Sequence, residues 1–246
     1  SVLVAEIAAR RGDMVTAFTH YFRAAEQARD AKMAELAVKS AVSADLSDEA
    51  ERGIRLWTEL SPDSVSVFQV AAFLRIRAGD REGALVQLSR VVELAGKDGG
   101  AGYAQAAGII ARAPSAEERV ALMTALVDLD PDSADAQQAL AMVAASAARP
   151  DVAVTAARRA LELRPDWSAP RIFLVRLLIS EGRRGEARTM LEEFIASSPE
   201  DHALGMLYGQ FLVEEQEFTS ARSEFERLLR NQPKEPDVLF AVGILS

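Results

Sequence analysis

Residues able to perform acid–base or metal chemistry are sparse in this chain of 246 residues. Its two histidines, His20 and His202, lie far apart in the sequence, and it has no cysteine, which excludes disulfides and thiolate metal sites. Adjacent carboxylates such as Glu192 and Glu193 would project about 100° apart on a helix, which is typical of a solvated surface. No zinc-protease, nucleophile-elbow or phosphate-loop motif occurs.

One glycine-rich segment, residues 96–100, superficially resembles a phosphate-binding loop. A true phosphate loop follows a strand and carries its lysine at a fixed spacing, and this segment meets neither condition. We therefore expect no catalytic residue, no metal site and no cofactor in this chain.

The elements that position the remaining side chains are indicated by a periodic proline. Pro131, Pro165, Pro199 and Pro233 follow one another at intervals of 34 residues, and Pro62 lies two intervals plus one residue upstream of Pro131. A fixed period of this length is typical of stacked helical repeats, and 34 is the tetratricopeptide period. The period predicts an array that binds a partner rather than a catalytic pocket.

Apolar residues stand at fixed distances before the periodic proline. Positions 12, 8 and 5 residues upstream share one face of a helix that ends just before the proline. The small residue at the first position allows a close helix crossing, and the next two fill the groove beside it. These positions hold Ala50, Ile54 and Trp57, then Ala153, Ala157 and Ala160, then Ala187, Leu191 and Phe194, then Ala221, Phe225 and Leu228.

Turns within the repeats are marked by Gly12, Gly79 and Gly182, each placed where a left-handed residue would end one helix and allow the next to begin. The small polar residues after the proline, such as Ser64 and Ser133, are suited to cap the following helix. The sequence predicts an all-α, right-handed α-solenoid of about seven tetratricopeptide helix–turn–helix repeats.

The predicted repeats differ in how well they match the pattern. The fourth is the weakest, because it is rich in glycine, has an extra residue and carries Arg119 where the others have alanine. It is either a drifted repeat or a flexible joint between two sub-arrays, since glycine weakens helices. The predicted bounds are 1–31, 32–64, 65–98, 99–133, 134–167, 168–201 and 202–235, so that 1–98 and 134–235 form the sub-arrays and 99–133 the degenerate repeat.

Both ends of the sequence read as parts of repeats. The chain begins inside a first helix without an initiator methionine, and residues 236–246 read as the first helix of an eighth repeat. Arrays of this type usually end on a polar capping helix. We therefore expect an internal fragment of a longer array.

Composition restricts the classes of partner. The formal net charge of −9 argues against a nucleic-acid partner. No run of 18 apolar residues is present, so we expect no membrane span in this fragment.

A concave groove is the expected binding surface, because in this architecture the first helix of each repeat lines the inner side. The mixture of amides, arginines and apolar groups predicted there suits an extended peptide or a partner helix. The candidate residues are Glu35, Lys39, Gln69, Phe73, Arg77, Tyr103, Gln138, Met142, Ile172, Arg176, Met206 and Gln210.

A closer resemblance covers residues 3–62. The segment Leu3–Asp13, the pair Ala17 and Tyr21, and the segments 34–37 and 57–63 resemble the first two repeats of a proteobacterial outer-membrane lipoprotein family rich in tetratricopeptide repeats. The resemblance implies a non-catalytic adaptor that assembles a periplasmic carboxyl-terminal processing protease with its substrates. It also implies a periplasmic protein anchored to the outer membrane through an N-terminal lipid, whose cysteine is absent from this sequence; a cytoplasmic location is the alternative.

Two other functions fit the same pattern. The chain could belong to a scaffold lipoprotein of pilus assembly, secretion or exopolysaccharide export. It could also be the substrate-selecting array of an enzyme whose catalytic domain lies outside this sequence.

Overall fold

The computed structural model describes residues 2–96, 101–231 and 235–245. Every regular element in these ranges is an α-helix, which confirms the predicted all-α fold. The helices form two compact units, Ser1–Pro114 and Ser115–Ser246. The predicted positions of Lys97, Asp98, Gly99, Gly100 and Pro233 lie outside the described residues.

Unit 1 consists of three complete helical hairpins and a further helix. Each helix packs on its neighbours in sequence, and the last also packs on the first helix of the third hairpin. The helices are α1 (Val2–Arg10), α2 (Met14–Ala28), α3 (Ala31–Ser43), α4 (Ser47–Leu60), α5 (Val65–Arg77), α6 (Arg81–Gly96) and α7 (Gly102–Ile110).

Unit 2 begins with a single helix, continues through three hairpins and ends on another single helix. Sequential neighbours pack together, and the first helices of its last two hairpins also touch. The helices are α8 (Ala116–Asp128), α9 (Ala134–Ser146), α10 (Pro150–Leu163), α11 (Ser168–Ser180), α12 (Arg184–Ser197), α13 (His202–Glu214), α14 (Phe218–Asn231) and α15 (Pro236–Ile244).

The turn inside each complete hairpin has one conformation. The predicted glycines Gly12, Gly79 and Gly182 all have positive φ, and in the other hairpins Asp45, Ala148 and Gln216 adopt the same left-handed conformation. In each case the next residue donates its amide to a carbonyl five residues back, the bond that closes a helix C-terminus.

That turn is missing between α7 and α8, where the two units divide. The repeat period places the left-handed residue at Ala113 or Pro114, and proline cannot adopt positive φ. The chain there makes only short-range amide bonds, from Arg112 to Ile109 and from Ala113 to Ile110. The division lies within predicted repeat 99–133, and a flexible joint at that repeat stays a prediction.

The predicted packing positions before each proline form the helix contacts. Ala50, Ala153, Ala187 and Ala221 are buried, as are seven of their eight larger partners. The exception is Phe194, which is half-buried and covered by the guanidinium of Arg171 at 5.0 Å from the ring centroid. In the fourth repeat, Arg119 occupies the alanine position, and its buried Nε has no hydrogen-bond partner.

Helix caps follow the prediction in part. Ser133 accepts a hydrogen bond from the amide of Ala136 at the start of α9. Ser64, in contrast, makes no side-chain cap at the start of α5. The backbone conformation of the residue before the helix is therefore retained even where the cap bond is missing, because Ser64 has the extended geometry of an N-cap. No helix in the described ranges is long and apolar enough to cross a membrane.

Candidate functional site

The predicted groove residues lie on the first helices of the hairpins, at positions five and nine of each helix. We call these surfaces the first-helix face of unit 1 and the first-helix face of unit 2. The unit 1 face comes from α3, α5 and α7, and the unit 2 face from α9, α11, α13 and α15. Each is described separately below.

On α3, Glu35 lies between two lysines. Lys32 donates to one carboxylate oxygen at 2.8 Å and Lys39 to the other at 2.5 Å. Both hydrogen bonds, that from Lys32 first, hold the pKa of Glu35 below its usual value. This cluster is neutralised internally, so Lys39 is not an uncommitted charge.

On α5, Gln69 contacts the neighbouring helix α7 through an amide hydrogen bond. Its Nε2 donates to Oε1 of Gln105 at 2.8 Å. Gln105 therefore occupies the equivalent position on α7, whereas the predicted Tyr103 lies half-buried near the start of that helix. The two glutamines are 36 residues apart because the connection before α7 is longer than in the other repeats.

One turn further along α5, Phe73 carries two guanidinium groups. The Cζ atoms of Arg77 and Arg112 lie 5.8 Å and 5.4 Å from its ring centroid. Arg77 also donates to Asp45 in the turn after α3, at 2.8 Å. We call Phe73, Arg77, Arg112 and Asp45 the Phe73 site.

The unit 2 face is more apolar. Gln138 on α9 is only 8% exposed and its Oε1 accepts no hydrogen bond, so it is part of the interior rather than of the surface. One turn later Met142 is 56% exposed. On α11, Ile172 is half-buried and Arg176 is exposed, without an ion pair among the described residues.

At the end of unit 2, Met206 and Gln210 line a groove of about 550 Å³. The opposite wall comes from α15, where Phe240 and Ile244 are 71% and 66% exposed. Val238 anchors α15 in the apolar cluster of α13 and α14. The groove has an apolar floor and two acidic residues, Glu214 and Asp237, among its lining.

The predicted site residues are thus brought together in two groups, and five partners were missed from the sequence. Phe240 and Ile244 lie 34 residues after Met206 and Gln210, so the repeat period could have found them. No sequence signal pointed to the others, because they depend on turn geometry and on the shifted register of α7. The missed residues are Asp45, Gln105, Arg112, Phe240 and Ile244.

Residues with potential for catalysis are not assembled into a site. Glu214 and Glu215 both accept hydrogen bonds from Arg184, as expected for a solvated, ion-paired surface. Within the described ranges, no group of three or more histidine, cysteine, aspartate or glutamate side chains could hold a metal ion.

Comparisons with known proteins relate this chain to repeat proteins. Residues 178–239 match the family model described as tetratricopeptide repeat. A TPR repeat-containing protein of Pseudomonas aeruginosa is 27% identical over 211 residues, which make up 85% of this chain and 35% of that protein. The chain therefore spans about a third of the length of this curated relative.

Two solved structures have a similar fold. The C-terminal part of a TPR repeat-containing protein from Cytophaga hutchinsonii aligns over 98% of this chain and 99% of its own, with a TM-score of 0.50 and 11% identity. The Naa15/Naa10 complex bound to HypK-THB aligns over 98% of this chain and 37% of the matched chain, with a TM-score of 0.51 and 11% identity. With helical hairpins in both units and a direct family match over residues 178–239, the chain has the fold of a tetratricopeptide-repeat α-solenoid.

Proposed function

We propose that this chain is a non-catalytic scaffold whose first-helix faces bind a protein or peptide partner. Tetratricopeptide folds generally mediate protein–protein interaction, because stacked repeats present extended surfaces without a single enclosed pocket. The observation that carries the proposal is the exposure of Met142, Phe240 and Ile244 in one register of the unit 2 face. Large apolar side chains concentrated on one surface are typical of interaction sites.

The specific role that we propose is that of an adaptor for a periplasmic carboxyl-terminal processing protease. Its support is the resemblance of residues 3–62 to the outer-membrane lipoprotein adaptors and the 27% identity to a TPR repeat-containing protein along 85% of the chain. In this proposal the whole protein is anchored to the outer membrane by an N-terminal lipid, and the arrays bring protease and substrate together.

A pull-down from a periplasmic extract tests this role. We expect the wild-type chain to retain a carboxyl-terminal processing protease, and Arg176→Glu to retain less of it. Arg230→Glu is the matched control, because Arg230 is exposed on the second helix α14 and makes no ion pair in the described part of the chain. Retention of pilus, secretion or export subunits instead of the protease would contradict the adaptor role.

A further inference from the structure

The strongest local concentration of unneutralised positive charge on either first-helix face is the Phe73 site. Two guanidinium groups, one from α5 and one from the segment after α7, both lie within 6 Å of one aromatic ring. A ring attracts cations through its negative face, but two like charges held this close repel each other. An anion bound beside them would relieve that repulsion.

The charges around the site are only partly compensated. Asp45 pairs with Arg77, but its side chain is 80% exposed, and such a pair contributes about 0–1 kcal/mol. Arg112 is exposed and forms no ion pair with any residue that the structure describes. The site therefore carries net positive charge in a chain whose formal net charge is −9.

The chemistry of the donors selects the anion. A guanidinium presents a planar fork of N–H groups that matches the two oxygens of a carboxylate. The exposed edge of Phe73 beside the fork would favour an apolar neighbour of that carboxylate. This arrangement differs from the lysine and asparagine pattern expected for chaperone-tail binders, whose only possible asparagine here, Asn231, lies on α14.

The Gln69–Gln105 pair extends the site along α5. Residues 69, 73 and 77 follow one another at one-turn intervals on the same side of the helix, spanning roughly 12 Å at 1.5 Å per residue. That length matches about four residues of an extended peptide. The amide groups of the glutamine pair keep unused donors and acceptors, which suit the backbone of such a peptide.

We propose that the Phe73 site binds the carboxylate of an extended peptide, with Arg112 and Arg77 as the carboxylate donors and the Gln69–Gln105 pair contacting the peptide backbone. This inference deepens the proposed function and rests on it. The carboxylate has two possible sources, an acidic side chain or a free C-terminus.

The test is a selection from a random eight-residue peptide library displayed with free C-termini, using the full chain as bait. Arg112→Gln and Arg77→Gln remove charge at the site. Arg23→Gln on α2 is the matched control, because Arg23 is exposed and makes no ion pair among the described residues. Circular dichroism of all three variants checks that the fold is retained.

Selected peptides are then synthesised in three forms, unmodified, with each acidic side chain replaced by its amide, and with an amidated C-terminus, and their binding is measured by fluorescence anisotropy. We expect one of the two carboxylate replacements, and also Arg112→Gln, to weaken binding about tenfold or more, as for a charged hydrogen bond. The replacement that has the effect identifies the source of the carboxylate.

Equal binding of all three peptide forms would overturn the carboxylate assignment, and so would a selection that enriches no peptide or peptides that bind Arg112→Gln as tightly as the wild type. These results leave the scaffold function standing if Arg176→Glu still reduces capture of the partner protein. Loss of neither peptide nor partner binding in any first-helix variant would instead reject the proposed function itself.

Discussion

Arg171 donates a hydrogen bond from Nε to the backbone carbonyl of Pro165, at 2.9 Å, from a side chain that is almost completely buried. One repeat earlier, Gln137 donates to the carbonyl of Pro131 from the equivalent position. One repeat later that position is Gly205, and Arg227 of α14 donates to the carbonyl of Pro199 instead. The turn at each of these prolines is thus held by a side chain that satisfies its carbonyl.

Replacement of Arg171 by alanine should destabilise unit 2. The change leaves the Pro165 carbonyl without its donor and removes the bond to Ser198, and an unsatisfied buried polar group costs about 1–3 kcal/mol. Urea unfolding followed by circular dichroism measures the loss. Arg176→Ala on the same helix should change stability by less than about 0.5 kcal/mol, because that side chain is exposed. Equal effects of the two changes would contradict the role of Arg171.

A bidentate ion pair between Arg188 and Glu217 should make stability depend on pH. The hydrogen bond from Arg188 lowers the pKa of Glu217 from its model-compound value of 4.5. A carboxyl whose pKa is lower in the folded state adds stability above its unfolded pKa and loses it as the pH falls through the folded pKa. The stability difference between wild type and Glu217→Gln should therefore be present at pH 7 and shrink below about pH 4.5. A difference that is constant from pH 7 to pH 3 would exclude this linkage.

Charge reversal on the first-helix faces should separate recognition from stability. The double variant Arg77→Glu and Arg176→Glu should weaken partner capture about tenfold or more, since like charges across an interface are strongly unfavourable. Helicity and thermal melting should stay close to wild type because both side chains are exposed. Arg158 and Arg188 are unsuitable controls, because both form ion pairs between successive hairpins.

The matched control for that experiment is Arg23→Glu on α2. Arg23 is exposed, carries the same charge and lies on a second helix rather than on either first-helix face. A binding loss as large as that of the double variant would assign the effect to net charge rather than to a defined surface.

Two glycines three residues apart should respond to alanine in opposite ways. Gly182 has φ of +74°, so alanine there is strained by about 1 kcal/mol. Gly185 lies in α12 with open space around its Cα, so alanine should stabilise the helix by roughly 0.5–1 kcal/mol. Chemical unfolding of both variants gives the comparison. Stabilisation by Gly182→Ala would mean that the left-handed turn is not required.

Overpacking of a helix crossing should be costly where the repeat has its small residue. Ala187 is fully buried, so Ala187→Trp should destabilise unit 2 by about 1–3 kcal/mol. Ala196→Trp on the exposed side of α12 is the control, and only the modest loss of helix propensity is expected there. Similar unfolding midpoints for both variants would show that the crossing at Ala187 tolerates bulk.

Helices, turns and packing positions were predictable because each depends on residues close in sequence and repeats at a fixed interval. Gly79 is left-handed and Ala153 is buried for reasons visible within single repeats. The fourth repeat was recognisable as irregular, but the division of the two units at Pro114 was not identified. The sequence carried the cause, since proline occupies a position that needs positive φ, but its effect depends on the missing hairpin closure.

By itself, the sequence determined that the chain is an all-helical repeat array, because a 34-residue period puts the same apolar residues on the same helix face each time. Only the tertiary structure decided which polar side chains meet. Gln69 bonds Gln105 and Arg112 covers Phe73 because the longer connection shifts α7 against α5. Side chains 36 and 39 residues apart are neighbours only after the helices have packed, so no local pattern records their contact.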